Sequence, residues 1–196
     1  MTTSIKQFKL LPLKQALILI DIQVGLDLMG FYGSERNNPN AENNASRLLC
    51  FFRKKNWPVY HVKHDSTNPD SPLYPSKEGN KIKAEVAPLK DEPLYLKNVN
   101  SAFIGTSLEN DLKAAGIKKI IIAGLTIEHC ISTSTRMAAN LGFETTLVAD
   151  ATAAFDKVGL EGQQYSAQQV FEISIATLSG EFASVVHTDQ LITALS

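Results

Sequence analysis

The stretch at residues 118–142, KKIIIAGLTIEHCISTSTRMAANLG, decides how this chain folds. Residues 120–125 form a six-residue apolar run broken only by Gly124. The run has the length and β-branched content of a buried strand and is too short to span a membrane. From Glu128 onward, apolar and small residues recur at steps of three and four, as in a helix: Ile131, Ser134, Thr135, Ala138 and Leu141. The stretch therefore predicts a strand followed directly by a helix, with Cys130 at the turn between them.

The predicted position of Cys130 has chemical consequences. The free N–H groups and the positive dipole at a helix N-terminus favour an anion, so they lower a thiol pKa and offer donors to an oxyanion. The alternative is a small core cysteine, because free cysteine is among the most buried residue types. The residues that follow the other predicted strands help to decide between a reactive cysteine and a core cysteine.

Two further strands are predicted to be buried, and each leads to a reactive side chain. Residues 16–20, ALILI, lead to Asp21, and residues 94–96 lead to Lys97. Open α/β sheets bind their ligands at the carboxyl ends of parallel strands, so the sheet would bring these side chains to the edge that carries Cys130. Asp21 taken alone could equally cap a turn. An acid, an amine and a thiol at one edge form a candidate catalytic constellation.

The rest of the chain alternates predicted helices with predicted strands. Asn40 is a candidate N-cap for the first helix. The alternation predicts one domain over residues 1–196, with a mostly parallel sheet and helices on both faces. The predicted helices are residues 40–56, 107–116, 167–178 and 189–195, and the remaining strands are residues 57–63, 144–149 and 182–187.

A long loop is predicted after the second strand. Residues 66–93 contain five prolines and no helical period, which favours a segment that crosses the strand ends as a lid or pocket wall. A metal site at His64 and Asp65 is disfavoured, because adjacent strand residues point to opposite faces. Four residues are candidates to line a pocket at this edge, although each could equally be a packing residue: Leu26, His64, Tyr74 and Phe103.

Composition narrows the function classes. The 196 residues are 44% hydrophobic and 20% charged, with a net charge of −1. Without a Lys/Arg-rich run there is no signature of nucleic-acid or membrane binding, so a small-molecule partner is expected. Cys50 and Cys130 lack a CxxC spacing, which disfavours disulfides and structural zinc. Residues 1–15 lack the apolar core of a signal peptide, and we expect a cytoplasmic protein.

Three motifs together resemble the isochorismatase-like cysteine hydrolase superfamily: LILIDIQ, YLKNVNSAF and AGLTIEHC with its following helix. That superfamily includes nicotinamidases, N-carbamoylsarcosine amidase, streptothricin hydrolase and isochorismatase. The resemblance covers residues 16–191. It implies a three-layer, Rossmann-like α/β fold with a six-stranded parallel sheet of order 3-2-1-4-5-6, and assembly as a homodimer or homotetramer.

The resemblance also implies roles for individual residues. Asp21 would be the general base, Lys97 its charged partner and Cys130 the nucleophile. A cis peptide would join Leu125 to Thr126, and the N–H groups of Thr126 and Cys130 would form an oxyanion hole. The implied reaction is hydrolysis of a small amide, lactam or ureido C–N bond through a thioester.

Departures from the family pattern limit the substrate. Metal-binding nicotinamidases carry an Asp-x-His pair after the second strand, where this chain places His64 and Ser66 within HVKHDS. We therefore expect no catalytic metal and no cofactor, and the chain is nearer to metal-free hydrolases and to streptothricin hydrolase. A Cys–His dyad with His129 is not expected, since adjacent helical side chains point about 100° apart.

Two alternative functions remain open. One is vinyl-ether hydrolysis of an isochorismate-like substrate, which needs no thiol and is disfavoured by Cys130. The other is a non-catalytic binding protein that has kept the fold, which the presence of all three reactive residues disfavours.

Overall fold

A computed structural model describes residues 15–196. Residues 1–14 lie outside this range. The prediction that residues 1–15 lack the apolar core of a signal peptide therefore falls almost wholly outside the described residues. The helices are α1 Ala41–Lys54, α2 Leu108–Ala114, α3 Ser132–Asn140, α4 Ala167–Leu178 and α5 Thr188–Leu195. The strands are β1 Gln15–Ile20, β2 Val59–His64, β3 Leu94–Lys97, β4 Lys119–Gly124, β5 Glu144–Val148, β6 Lys157–Val158, β7 Gln164–Tyr165 and β8 Ser184–Val186.

Six of these strands form one parallel sheet, in the order β3-β2-β1-β4-β5-β8. Strands β6 and β7 pair with each other as an antiparallel hairpin outside that sheet. When the main-sheet strands alone are counted, the order is 3-2-1-4-5-6. The predicted α/β fold and strand order are confirmed.

Strand β1 lies at the centre and is covered on both faces. Ala16, Ile18 and Ile20 pack with buried residues of α2, α3 and α4. Leu17 and Leu19 pack on the opposite face with residues of α1 and α5. Because successive strand residues point to opposite faces, one apolar run serves two cores. Each buried Leu or Ile contributes about 1.5–3 kcal/mol, so this central strand is a rigid base for Asp21, which follows it.

A glycine lets strand β4 end close to β1. Gly124 has φ +138°, and a Cβ at this position would lie 2.0 Å from the Ile20 carbonyl oxygen. No other residue fits that approach without moving the backbone. The turn that carries Cys130 therefore leaves the sheet next to the end of β1.

The structure differs from the sequence prediction at two places near the site. Strand β3 is an edge strand whose Leu94 and Leu96 are 43% and 52% exposed, so the prediction of a buried strand was wrong. The helix predicted from Glu128 begins as a π-helical turn, Ile127–Ile131, before α3. Single π turns often occur at functional sites.

Across residues 15–196, no helix combines the length and apolar character needed to cross a bilayer.

Candidate active site

The carboxyl ends of β1, β3 and β4 bring three reactive side chains together. Lys97 Nζ donates a hydrogen bond to Asp21 Oδ2 at 2.6 Å and lies 3.2 Å from Cys130 Sγ. Asp21 and Lys97 are 1% and 3% exposed. An ion pair this deeply buried is costly unless its geometry is good, and the short Asp21–Lys97 contact satisfies that condition.

Lys97 is the centre of the cluster. Its Nζ also lies 3.0 Å from His64 Nδ1 and 3.1 Å from the Val99 carbonyl oxygen. Polar atoms of Asp21, His64 and Cys130 lie within 4.8 Å of one another, a grouping of the kind that can hold a metal ion. The Lys97 ammonium contacts all three residues. In the structure it is therefore the lysine that supplies the positive charge among them.

Asp21 has an unusual backbone and a free carboxylate oxygen. Its φ is +54°, in the left-handed region that few residues other than glycine adopt. Asp21 Oδ1 is buried and has no hydrogen-bond partner among the described residues. Buried polar atoms are usually satisfied, and exceptions concentrate at functional sites. Asp21 also lines the cavity described below.

Cys130 lies in the π turn, and its surroundings favour the protonated thiol over the thiolate. Burial raises the pKa of Cys130 and the negative charge of Asp21 raises it further, while the Lys97 ammonium acts in the opposite direction without reversing the shift. The expectation that the helix N-terminus would lower this pKa was therefore wrong. Desolvation of the thiolate is the largest contribution to the shift.

The loop before Cys130 is fixed at both ends. The Leu125 N–H donates to the Ile20 carbonyl and the Ile127 N–H donates to the Ala153 carbonyl, both at 2.9 Å. The peptide bond between Leu125 and Thr126 is cis. Leu125 and Thr126 both line the cavity beside Cys130.

The cavity above these groups is small, with a volume of about 190 Å³. Pockets for drug-sized ligands start at about 300 Å³, so the cavity fits a small molecule or one end of a larger one. Its wall is formed by Asp21, Leu26, Tyr32, His64, Leu73, Asn100, Leu125, Thr126, His129 and Cys130.

Two of the four predicted pocket residues line the cavity and two do not. Leu26 and His64 are part of the wall. The prediction for Phe103 was wrong, because its ring packs in the core with a centroid 6.0 Å from that of Phe143. The prediction for Tyr74 was also wrong, because the preceding residue, Leu73, is the one that faces the cavity. The loop at residues 66–93 thus forms a pocket wall through Leu73.

Tyr32 is a cavity residue that the sequence pattern did not indicate. Its ring stacks on Phe155 with centroids 5.8 Å apart, and its hydroxyl lies 3.2 Å from Ser71 Oγ. Burial raises the pKa of Tyr32, so the group is a neutral phenol that can donate or accept. It lies in a segment without periodicity, and no sequence signal could have placed it.

Glu128 links the turn that carries Cys130 to the β6–β7 hairpin. Its Oε1 accepts a hydrogen bond from the Phe155 N–H at 3.1 Å and lies 3.2 Å from Lys157 Nζ. Lys157 Nζ also donates to the Tyr32 carbonyl at 3.0 Å. One lysine therefore ties the turn that carries Cys130 to the tyrosine wall of the cavity.

His129 also lines the cavity, and neither the sequence pattern nor the family motif indicated this position. Burial lowers the pKa of His129, although the Glu128 carboxylate acts in the opposite direction. The described hydrogen bonds include none between His129 and Cys130, in keeping with the directions of adjacent helical side chains.

Comparison with known proteins identifies the family. The sequence model described as the isochorismatase domain matches residues 15–189. The chain belongs to the isochorismatase family. It is 46% identical over 179 residues to the isochorismatase family protein YrdC of Bacillus subtilis (strain 168), covering 91% of this chain and 95% of that protein.

Other relatives agree with this assignment. An isochorismatase-family crystal structure from Chromobacterium violaceum superposes with a TM-score of 0.88 at 38% identity, over 93% of each chain. Streptothricin hydrolase of Streptomyces noursei is 28% identical over 145 residues, which cover 72% of this chain and 50% of that protein. The protein is an isochorismatase-family hydrolase.

Proposed function

We propose that this hydrolase uses Cys130 to cleave a C–N bond of a small amide, lactam or ureido compound through a thioester. One observation carries the proposal. The Lys97 ammonium contacts both Asp21 Oδ2 and Cys130 Sγ at the floor of a cavity, while Asp21 Oδ1 has no hydrogen-bond partner among residues 15–196. The orienting cation thus contacts both the nucleophile and the base, and polar atoms of Asp21 and Cys130 lie within 4.8 Å of each other, as acyl transfer requires.

The first step is attack on the substrate carbonyl. Asp21 Oδ1 accepts the thiol proton of Cys130 as the sulfur–carbon bond forms and the carbonyl electron pair moves onto oxygen. Because burial raises the pKa of this thiol, attack needs a base in contact with it rather than a preformed thiolate. The Lys97 ammonium offsets the negative charge that builds on sulfur.

The negative charge on the carbonyl oxygen needs its own donors. The N–H groups of Thr126 and Cys130, two residues that line the same cavity, are our candidates for the oxyanion hole. Removing one oxyanion donor typically costs about 2.7–4 kcal/mol of transition-state stabilisation.

Collapse of the intermediate then releases the nitrogen. The C–N bond breaks, Asp21 returns its proton to the leaving nitrogen, and a thioester remains on Cys130. Asp21 next takes a proton from a water molecule that attacks the thioester. The C–S bond breaks, the acid product leaves, and the proton passes to the sulfur. One carboxylate therefore serves as base, acid and base again.

Cavity size and charge favour a small, uncharged substrate. The cavity of about 190 Å³ has no lysine or arginine in its wall, and its three leucines supply apolar surface. An isochorismate-like dicarboxylate would meet the Asp21 carboxylate without a free cation opposite it. The relative named streptothricin hydrolase supports the hydrolase class but does not fix the bond.

The test is release of ammonia or amine from a panel of small amides, lactams and ureido compounds. The Cys130→Ala variant is compared with Cys50→Ala, since Cys50 is an exposed cysteine on α1 that does not line the cavity. We expect Cys130→Ala to lose at least about 10³-fold in kcat/KM and Cys50→Ala to retain wild-type activity. Activity that survives in Cys130→Ala would refute the nucleophile, and pyruvate release from an isochorismate-like substrate would point to the vinyl-ether reaction instead.

A further inference from the structure

His64 has a contact that fixes where its proton lies. Its Nδ1 is 3.0 Å from Lys97 Nζ. An ammonium group has only donors, so at this distance Nδ1 must offer a lone pair rather than a second N–H. The Lys97 ammonium therefore selects the ring form in which Nδ1 is unprotonated.

The ring is also neutral. Burial lowers the pKa of His64 and the positive charge of Lys97 lowers it further, and the opposing charges of Asp21 and Asp65 do not reverse the shift. A neutral imidazole carries a single proton. With Nδ1 unprotonated, that proton is on Nε2.

The orientation of His64 is set by its backbone. The His64 N–H donates to Gln23 Oε1 at 2.9 Å, and the His64 carbonyl accepts from Gln23 Nε2 at 3.0 Å and from Asn80 Nδ2 at 3.1 Å. Gln23 is 0% exposed and Asn80 is 4% exposed, so both anchors are rigid. Since the Nδ1 edge is turned to the buried Lys97 and the side chain lines the cavity, the Nε2–H faces the cavity.

We propose that His64 is a substrate-positioning residue whose Nε2–H donates a hydrogen bond to a second acceptor oxygen of the substrate. This inference rests on the proposed function and extends it. The Thr126 and Cys130 N–H groups are assigned to the oxygen of the scissile carbonyl, which leaves the His64 donor for a different oxygen. The substrate class is therefore a small amide, lactam or ureido compound with a carbonyl or similar acceptor beside the bond that is cleaved.

One rival arrangement is excluded by the same contacts. The Val99 carbonyl lies near the ring and could accept a proton from Nδ1. That carbonyl accepts a hydrogen bond from Lys97 at 3.1 Å and has a second lone pair, so its own hydrogen bonding does not decide between the two ring forms. The deciding contact is with Lys97: an Nδ1–H would point its proton at the ammonium, whose nitrogen lies 3.0 Å from Nδ1, and that contact is repulsive.

Nitrogen NMR of the histidine rings tests the proton position in the unliganded full-length chain. The His64 signals are assigned by their loss in His64→Gln, and the matched control is His187→Gln, at the exposed His187 outside the cavity wall. We expect Nδ1 of His64 to be unprotonated and Nε2 protonated at neutral pH, and the preference to weaken in Lys97→Met. A protonated Nδ1 in the wild-type protein would overturn the inference.

Binding to the Cys130→Ala protein tests the acceptor. The probes are acetoacetamide and butyramide, which differ only in the second carbonyl oxygen. We expect acetoacetamide to bind about tenfold more tightly and to shift the His64 Nε2–H signal. His64→Phe should bind both probes equally, and His64→Gln, which keeps a donor, should recover part of the difference.

Equal affinities for the two probes in the protein with His64 intact, or an unshifted Nε2–H, would overturn the inference. Neither readout depends on hydrolysis. A failed His64 test is therefore distinguishable from a failed nucleophile assignment, which shows only as activity that survives in Cys130→Ala.

Discussion

Two buried lysines in this protein carry the same charge and serve different ends. Lys83 Nζ lies 2.5 Å from Asp27 Oδ1 and 2.5 Å from Glu42 Oε1, so two carboxylates surround one ammonium. Lys97 Nζ has one carboxylate, Asp21, and its other side-chain partners are the Cys130 thiol and the neutral ring of His64. The first arrangement compensates a buried charge, and the second leaves reactive groups beside it.

The difference shows how a buried charge pair becomes a reactive site. Glu42 also accepts a hydrogen bond from Arg36 at 2.6 Å, so both of its oxygens have partners. In Asp21, only Oδ2 has a hydrogen-bond partner within the part of the chain that the structure describes, and Oδ1 is buried without one. An unsatisfied buried oxygen costs stability, and this difference between Asp21 and Glu42 is in keeping with the proton-transfer role proposed for Asp21.

The largest effect on activity is expected at the free oxygen. Asp21→Asn keeps the shape of the side chain and removes the base, so kcat should fall by about 10²–10⁴-fold. The measurement is amide hydrolysis under saturating substrate. The equivalent change beside the other buried lysine, Lys83, is Glu42→Gln. It should leave kcat within a few-fold of wild type. Comparable losses in both variants would erase the distinction between the two sites.

Removing each ammonium should separate catalysis from stability. Lys97→Met takes the cation away from sulfur and Asp21, and we expect kcat to fall by about 10²–10³-fold. Lys83→Met leaves Glu42 and Asp27 without the ammonium between them, which should lower the free energy of unfolding by about 3–5 kcal/mol. Urea unfolding and steady-state kinetics on both variants make the comparison. A Lys83→Met protein that folds well but is inactive would contradict it.

The ion pair between Lys83 and Glu42 should also contribute to the loss of folding stability at low pH. Although burial opposes the shift, hydrogen bonds from Arg36 and Lys83 lower the pKa of Glu42 below the usual range for a glutamate. A lowered folded-state pKa gives stability that is present above the unfolded-state value and is lost as pH falls through the folded-state value. Wild type should therefore lose stability below about pH 4.5 more steeply than Glu42→Gln. Urea unfolding at a series of pH values measures both slopes, and identical slopes would contradict the assignment.

The smallest effect is expected where a third lysine supports the cavity wall. Lys157→Met removes the contacts to Glu128 Oε1 and to the Tyr32 carbonyl without touching the Lys97 cluster. We expect KM to rise a few-fold with kcat nearly unchanged, because substrate placement is loosened while the reacting groups remain. A large loss of kcat instead would mean that the Lys157 contacts with Glu128 and Tyr32 also orient Cys130.

Much of this organisation could be predicted from the sequence. The apolar run before Asp21 and the stretch around Cys130 identify strand ends, and parallel strands bring their carboxyl ends to one edge. The motif resemblance then placed Asp21, Lys97 and Cys130, the three residues that the structure brings into contact. Such predictions succeed because they depend on local periodicity and on topology.

The remaining features depend on tertiary packing. Whether Leu73 or Tyr74 faces the cavity depends on the path of an irregular loop, and Phe103 belongs to the core because Phe143 lies beside it. The direction of the Cys130 pKa shift depends on how deeply the thiol is buried, whereas the sequence indicates only its place at a helix start. None of these quantities has a local signature in the chain.

The most direct test of the central claim is the pH dependence of Cys130 alkylation by iodoacetamide, measured in a Cys50→Ala background with Asp21 intact and with Asp21→Asn. If Asp21 serves a partly buried, neutral thiol, the rate with Asp21 intact should still be rising well above pH 8.5, roughly the midpoint of a free thiol. Removing the like charge should shift the midpoint to lower pH even as hydrolysis is lost. A plateau below pH 8.5 with Asp21 intact, or the same midpoint in both proteins, would contradict the account.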